Sequence, residues 1–148
     1  MEVTFKEICK DIVFTENYQR LKNYRHHGNV SCYKHSIRVA YFCYKYYIKK
    51  KPNYDIYEFI KGALLHDYYL YDWHTKGEGH RLHGFRHPRF ALNNAKRDFF
   101  ITSLMEDIIL HHMFPLVPTL PRSKAAFIVS IMDKKVGFYD YKKKKKEH

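Results

Sequence analysis

Phe59-Ile60-Lys61-Gly62-Ala63-Leu64-Leu65-His66-Asp67 is the stretch that decides the fold. It is an apolar, helix-like run that ends in an imidazole and a carboxylate side by side. Neighbouring residues on a helix point about 100° apart, so both groups can reach one ion only where the helix frays or bends. Ala63, Leu64 and Leu65 lead into the pair, which predicts burial. A buried, unpaired Asp costs several kcal/mol, so Asp67 needs a metal or a strong partner. A His-Asp pair alone is a weak signal. Its weight comes from the chain's eleven histidines, which crowd between His66 and His112.

Outward from that stretch, the pattern predicts helices and loops with few credible strands. Asp55 is the expected N-cap of the helix carrying Ile56, Phe59, Ile60, Ala63 and Leu64, and Pro52-Asn53 separates it from the helix before. That preceding helix, Ser31 to Lys49, has an apolar stripe at Val39, Phe42, Cys43, Tyr46 and Tyr47. His35 lies on the stripe and should face inward. Gly28-Asn29 reads as a turn after a polar, aromatic lead-in from Tyr18 to Tyr24. Tyr69 to Phe85 reads as irregular, with Gly77, Gly79 and Gly84, and a loop of that length is usually functional or mobile. Pro88 is placed as the opener of a helix through Ala91, Ala95 and Phe99. Thr102 or Ser103, with Glu106 following, predicts a capped helix through Ile108, Ile109 and Met113. Pro115, Pro118 and Pro121 exclude helix until a last one, Ser123 to Tyr139. No repeat or linker divides the chain, so one all-α domain is expected.

The length of 148 residues suffices for one sizeable core. No stretch approaches the ~18 apolar residues of a membrane span. The beginning of the chain lacks a signal peptide's apolar region, which predicts a cytoplasmic protein. Cys9, Cys32 and Cys43 form no CxxC pair and read as reduced thiols. The net charge of +12 is swollen by the run Lys142 to Lys146, read as a solvated, disordered tail. The charge suits an anionic ligand and says nothing sharper; nucleic acid is not the expected partner.

The chemistry-bearing set, in chain order, is His35, His66-Asp67, a histidine from the His83/His87 pair, one from His111/His112, and Asp133. Imidazoles and carboxylates without thiolates suit Fe, Mn, Zn or Ni. Six ligands exceed what one ion takes while keeping a water site. They fit two ions sharing Asp67 as a bridge. Of His83 and His87, the latter directly precedes Pro88 and is the better ligand.

His35-Ser-Ile-Arg-Val-Ala40, Gly62-Ala-Leu-Leu-His-Asp67 and Ile128-Val-Ser-Ile-Met-Asp-Lys134 resemble the first His helix, the His-Asp helix and the last helix of the HD-domain superfamily of metal-dependent phosphohydrolases. Small bacterial members resemble the chain further at His27-Gly-Asn-Val-Ser31, His66 to His74, Leu82-His-Gly-Phe-Arg-His-Pro88 and Asp107 to Pro115. The resemblance spans about residues 26 to 135. It implies an all-α, single-domain helical bundle around a metal centre. Residues 1–25 would be a helical lead-in, 26–140 the HD domain and 141–148 the basic tail. The pattern H…HD…D implies one metal, and His87 and His112 would hold a second. The choice of His112 over His111 follows from the resemblance, and His83 becomes a substrate contact.

What the resemblance implies is hydrolysis of a phosphate ester, a nucleotide or other small phosphorylated metabolite, by a metal-activated water. Two divalent transition-metal ions are expected, Fe or Mn foremost, with Zn, Ni or Mg as alternatives. Asp67 would bridge the ions and orient the nucleophile. His27 and Lys134 are the candidates for proton delivery or phosphate contact, and Arg122 for substrate binding. Two other readings share the fold: a mixed-valence di-iron oxygenase and a non-enzymatic metal-binding regulator. The oligomeric state is not legible.

Overall fold

The computed structural model describes residues 2–71 and 83–146, with the backbone alone for His83 and residues 144–146. Seven α-helices and one small hairpin make up these residues. The expected all-α class holds.

Helix α1 (Phe5–Val13) opens on a reciprocal cap. The Thr4 hydroxyl accepts from Glu7 N, and the Glu7 carboxylate accepts from Thr4 N. Its inner face buries Ile8, Cys9, Ile12 and Val13. The short helix α2 (Glu16–Gln19) and a 3-10 turn (Arg20–Asn23) lead into strand β1 (Arg25–His27). β1 pairs antiparallel with β2 (Val30–Ser31), and Gly28 supplies the positive φ of 58° that the tight turn needs.

Helix α3 (Cys32–Lys50) starts where Ser31 accepts a hydrogen bond from Lys34 N. It buries Cys32, His35, Ser36, Val39, Ala40 and Cys43, a stripe of helical period. Helix α4 (Ile56–Leu65) is capped by Asp55, as the sequence predicts. Phe59, Ile60, Gly62, Ala63, Leu64 and Leu65 are all buried, so α4 is apolar around most of its circumference and occupies the centre. It packs mainly against α3 and α6. A Cβ on Gly62 would lie 2.7 Å from Ile108 Cδ1, so glycine is what lets α4 and α6 approach so closely.

Helix α5 (His83–Asp98) differs from expectation. It begins at His83, and Pro88 lies inside it instead of opening it. Pro88 cannot donate to the carbonyl four residues back, and the helix continues nonetheless, carried by buried Ala91, Leu92 and Ala95. Residues 72–82, with Gly77 and Gly79 of the segment expected to be irregular, lie outside the described residues. Helix α6 (Ser103–His111) is capped by Thr102, which accepts from Met105 N. Helix α7 (Lys124–Lys146) runs beyond the predicted end at Tyr139. Residues 141–146 continue the helix. Lysine is a good helix former, and extending an existing helix adds one hydrogen bond per residue fixed.

All three cysteines are free and buried. No helix among the described residues is long and apolar enough to cross a membrane.

Candidate metal centre

Helix α4 stops at Leu65, and His66 N reaches Ala63 O at 3.4 Å in a tighter turn. That change of winding aims His66 and Asp67 into one interior, as the adjacent pair requires. The turn is held from several sides. Tyr18 Oη donates to Leu64 O at 2.8 Å, and the Asn94 amide of α5 donates to Tyr68 O and Tyr69 O at 3.2 and 3.0 Å.

The two oxygens of Asp67 face different donor sets. Oδ2 lies 3.2 Å from His66 Nε2, 3.6 Å from His35 Nε2 and 3.0 Å from His26 Nε2. Oδ1 lies 3.1 Å from His87 Nε2 and 3.2 Å from His112 Nε2. Asp133 of α7 completes the first set, with Oδ1 2.7 Å from His35 Nε2 and 3.1 Å from His66 Nε2. His35, His66, Asp67, His87, Asp133 and His112, the six expected ligands, thus converge from α3, the end of α4, α5, α7 and the end of α6. Among the described residues, two groups of donor atoms have the spacing of an ion site: His26, His35, Asp67 and Asp133, and His66, Asp67 and His112, with His66 also 3.1 Å from Asp133 Oδ1 and so shared between them.

Hydrogen bonding shows that these residues fit a cation. His66 Nδ1 lies 2.6 Å from Ala63 O and His112 Nδ1 lies 2.8 Å from Ile109 O. A carbonyl can only accept, so both Nδ1 atoms carry protons and donate. In the neutral rings the Nε2 lone pairs then face carboxylate oxygens, which repel them unless a positive charge lies between. Burial lowers the His66 pKa, but Asp67 and Asp133 outweigh it and raise the ring well above its usual range. A cation is what the surroundings of His66 favour. His112 goes the other way: burial lowers it, which keeps Nε2 available as a ligand. Burial also pushes Asp67 and Asp133 up, yet His66 and the neighbouring imidazoles hold both carboxyls well below the ordinary range.

His26 is the residue that sequence reasoning missed. On β1 the side chains alternate, so His26 turns in and His27 turns out. His26 stacks on His35 with ring centroids 3.7 Å apart and planes 9° from parallel. Burial, with His35 beside it, lowers its pKa to about 4, leaving an uncharged ring at neutral pH. Period-two alternation before Gly28 was the available signal. The segment's shortness hid it.

His27 lines the mouth of the hollow over the cluster, a cavity of about 380 Å³ with Met113 and Leu116 on its apolar side. Lys134 lines it too, and its ammonium donates to His112 O at 3.0 Å and Ser130 Oγ at 2.8 Å. Lys134 thereby ties the end of α6 to α7. Burial lowers its pKa, with Asp133 and Asp67 pulling it back. Arg122 is not brought to this hollow. It borders a separate one with Asp107, His111 and Ser123, and its backbone N donates to Asp107 Oδ1 at 3.0 Å. His111 turns away from the centre to Asp107, with Nδ1 2.7 Å from Oδ1. The backbone of His83 lies one helical turn before His87, not in a loop; its side chain lies outside the described residues.

A protein-family model described as HD domain matches residues 32–135, most of the chain. No curated protein and no solved structure matches.

Proposed function

The chain belongs to the HD-domain family, whose members are mostly metal-dependent hydrolases, and on that premise we propose that it hydrolyses a phosphate ester of a small metabolite, such as a nucleotide. The observation that carries this reading is the division of labour at Asp67, whose two oxygens face two separate sets of imidazoles. His35, His66, Asp67 and Asp133 would hold one divalent ion, and Asp67, His87 and His112 a second. Iron or manganese suits such an imidazole and carboxylate set. When bound, two ions supply Lewis acidity to phosphoryl oxygens and a nucleophile at neutral pH.

The chain's own residues do the rest. Asp67, locked between the two sets, orients the attacking oxygen. Lys134 keeps an ammonium at the rim, fixed by Ser130 and the His112 carbonyl, where it attracts a phosphate. His27, which lines the hollow, would pass a proton to the leaving group. His83, whose backbone lies one turn before His87, would contact the substrate, while Arg122 borders a separate hollow. A cavity of about 380 Å³ accommodates a phosphate with a modest organic group.

Purification without chelator, metal analysis and a screen of phosphate esters with added Mn(II) or Fe(II) tests the proposal. Released orthophosphate that depends on the added metal is expected. Dioxygen consumption with an Fe(II)/Fe(III) resonance and no phosphate release would replace it with the oxygenase reading.

A further inference from the structure

His35 Nδ1 and Asp140 Oδ2 are both buried, both without a hydrogen-bond partner, and face each other at 3.8 Å. A buried donor or acceptor left unmade costs about 1–3 kcal/mol, and native proteins rarely tolerate two at one place. One of these atoms can donate and the other can only accept. Asp140 does not drift free: Arg38 Nη1 donates to its other oxygen, Oδ1.

The elements make this arrangement specific. Helix α3 carries both His35 and Arg38, one turn apart, and α7 carries both Asp133 and Asp140, two turns apart on one face. Helix α7 therefore addresses His35 at both ring nitrogens, with Asp133 at Nε2 and Asp140 at Nδ1. The stacked His26 ring holds the imidazole plane between them. His66 and His112 already have Nδ1 acceptors, the carbonyls of Ala63 and Ile109. A ligand bound through Nε2 must keep its proton on Nδ1, and for His35 the acceptor facing that proton is the Asp140 carboxylate.

We propose that Asp140, anchored by Arg38, is a positioning residue that fixes the tautomer and orientation of His35 for metal binding through Nε2. The inference rests on the metal-centre reading above. Carboxylates placed behind ligating imidazoles make the ring a stronger donor, and their loss typically lowers metal affinity 10–100-fold. Asp140 touches neither substrate nor ion in this role; it acts through His35. Arg38 acts one step further back, by holding the carboxylate.

The test uses the full chain stripped of metal and titrated with Co(II), with affinity read from the visible spectrum. Asp140→Ala should weaken Co(II) uptake by the set that includes His35 about 10–100-fold. Asp140→Asn, which keeps an oxygen acceptor, should recover part of that loss, and Arg38→Met should fall between it and the wild type. The melting temperature of each metal-free variant is recorded alongside. If Asp140→Ala lowers that temperature but leaves Co(II) affinity unchanged, Asp140 only ties α7 to α3 and the proposal is overturned. Should the alanine variant fail to fold, nitrogen-15 spectra of Zn(II)-loaded wild type decide instead. A slowly exchanging His35 Nδ1 proton is expected, and ligation through Nδ1 would overturn the role. A wild type that binds neither ion would overturn the metal-centre reading itself and this inference with it.

Discussion

The Nε2 atoms of His87 and His112 stand 2.8 Å apart, and both face Asp67 Oδ1, at 3.1 and 3.2 Å. The two rings arrive from α5 and from the end of α6, packed neighbours near the centre of the bundle. With its Nδ1 proton given to Ile109 O, His112 has only a lone pair to offer toward that meeting point. Two imidazoles and one carboxylate oxygen meet there, apart from the set around Oδ2, and under the proposed function they would hold the second ion.

That division predicts different losses of metal. His112→Ala and His87→Ala should each reduce a two-ion protein toward one ion per chain. Asp67→Ala should deplete both ions and abolish turnover. Circular dichroism should show the helices retained, and metal analysis gives the count. Two full ions in His112→Ala would contradict the placement of the second one.

Metal removal should also lower stability, because the ligands join α3, α5, α7 and the ends of α4 and α6. Free ion at 100 times its dissociation constant adds about 2.7 kcal/mol to the folded state. For a chain of this size that corresponds to roughly 5–10 °C in melting temperature. Calorimetry on loaded protein with and without chelator provides the check, and coincident transitions would refute the coupling.

Gly62→Ala should be costly despite alanine's better helix propensity. Its Cβ would meet Ile108 Cδ1 at 2.7 Å and Cγ2 at 3.1 Å. Overpacking of this kind costs about 1–3 kcal/mol. Ile108→Val removes Cδ1, the nearest clashing atom, so the double variant should be less destabilised than the two single changes added together. Urea melts of the four proteins give the coupling. A Gly62→Ala protein as stable as wild type would show that α4 and α6 can move apart freely.

Asp107 offers a pH-dependent test away from the metal. Its carboxylate accepts from Arg122 N, Ser123 Oγ and His111 Nδ1, joining α6 to the start of α7. Burial pushes its pKa up, but Ser123, Arg122 and His111 outweigh this and hold it below the ordinary 3.8. A carboxyl lowered on folding adds stability that is present above its unfolded value and lost as pH falls through the folded one. Asp107→Asn should therefore cost about 1–3 kcal/mol at pH 7 and less at an acid pH below the folded pKa of Asp107. Denaturant melts of metal-free protein at both pH values measure this, and an equal deficit at each would exclude it.

Ending the chain after Tyr141 should spare the centre. Asp133 and Asp140 both remain, and α7 loses only its last lysine-rich turn. Metal content and turnover at 0.15 M salt should be essentially unchanged, since steering by distant lysines is screened there. A large loss of turnover with full metal content would place Lys143, which borders a hollow beside His27 and Arg38, in substrate binding.

The sequence alone determined whatever depends on local pattern. Asp55 and Thr102 cap helices where their spacing predicts, since a cap needs only the next three residues. The stripe through Val39 and Cys43 placed His35 inward, and the apolar run before His66 announced a buried pair. Tertiary structure decided what depends on partners far along the chain. Antiparallel pairing with Val30–Ser31 turns His26 in and His27 out, a choice that two adjacent histidines cannot reveal by themselves. Pro88 is carried inside α5 because packing of Ala91, Leu92 and Ala95 outweighs one missing hydrogen bond. Arg122 is drawn to Asp107, 15 residues away, and Asp140 comes to His35 only because α7 folds back along α3. Local preferences fix which segments are helical, but the energy that selects a side chain's partner comes from burial and charge, and those exist only once the helices have met.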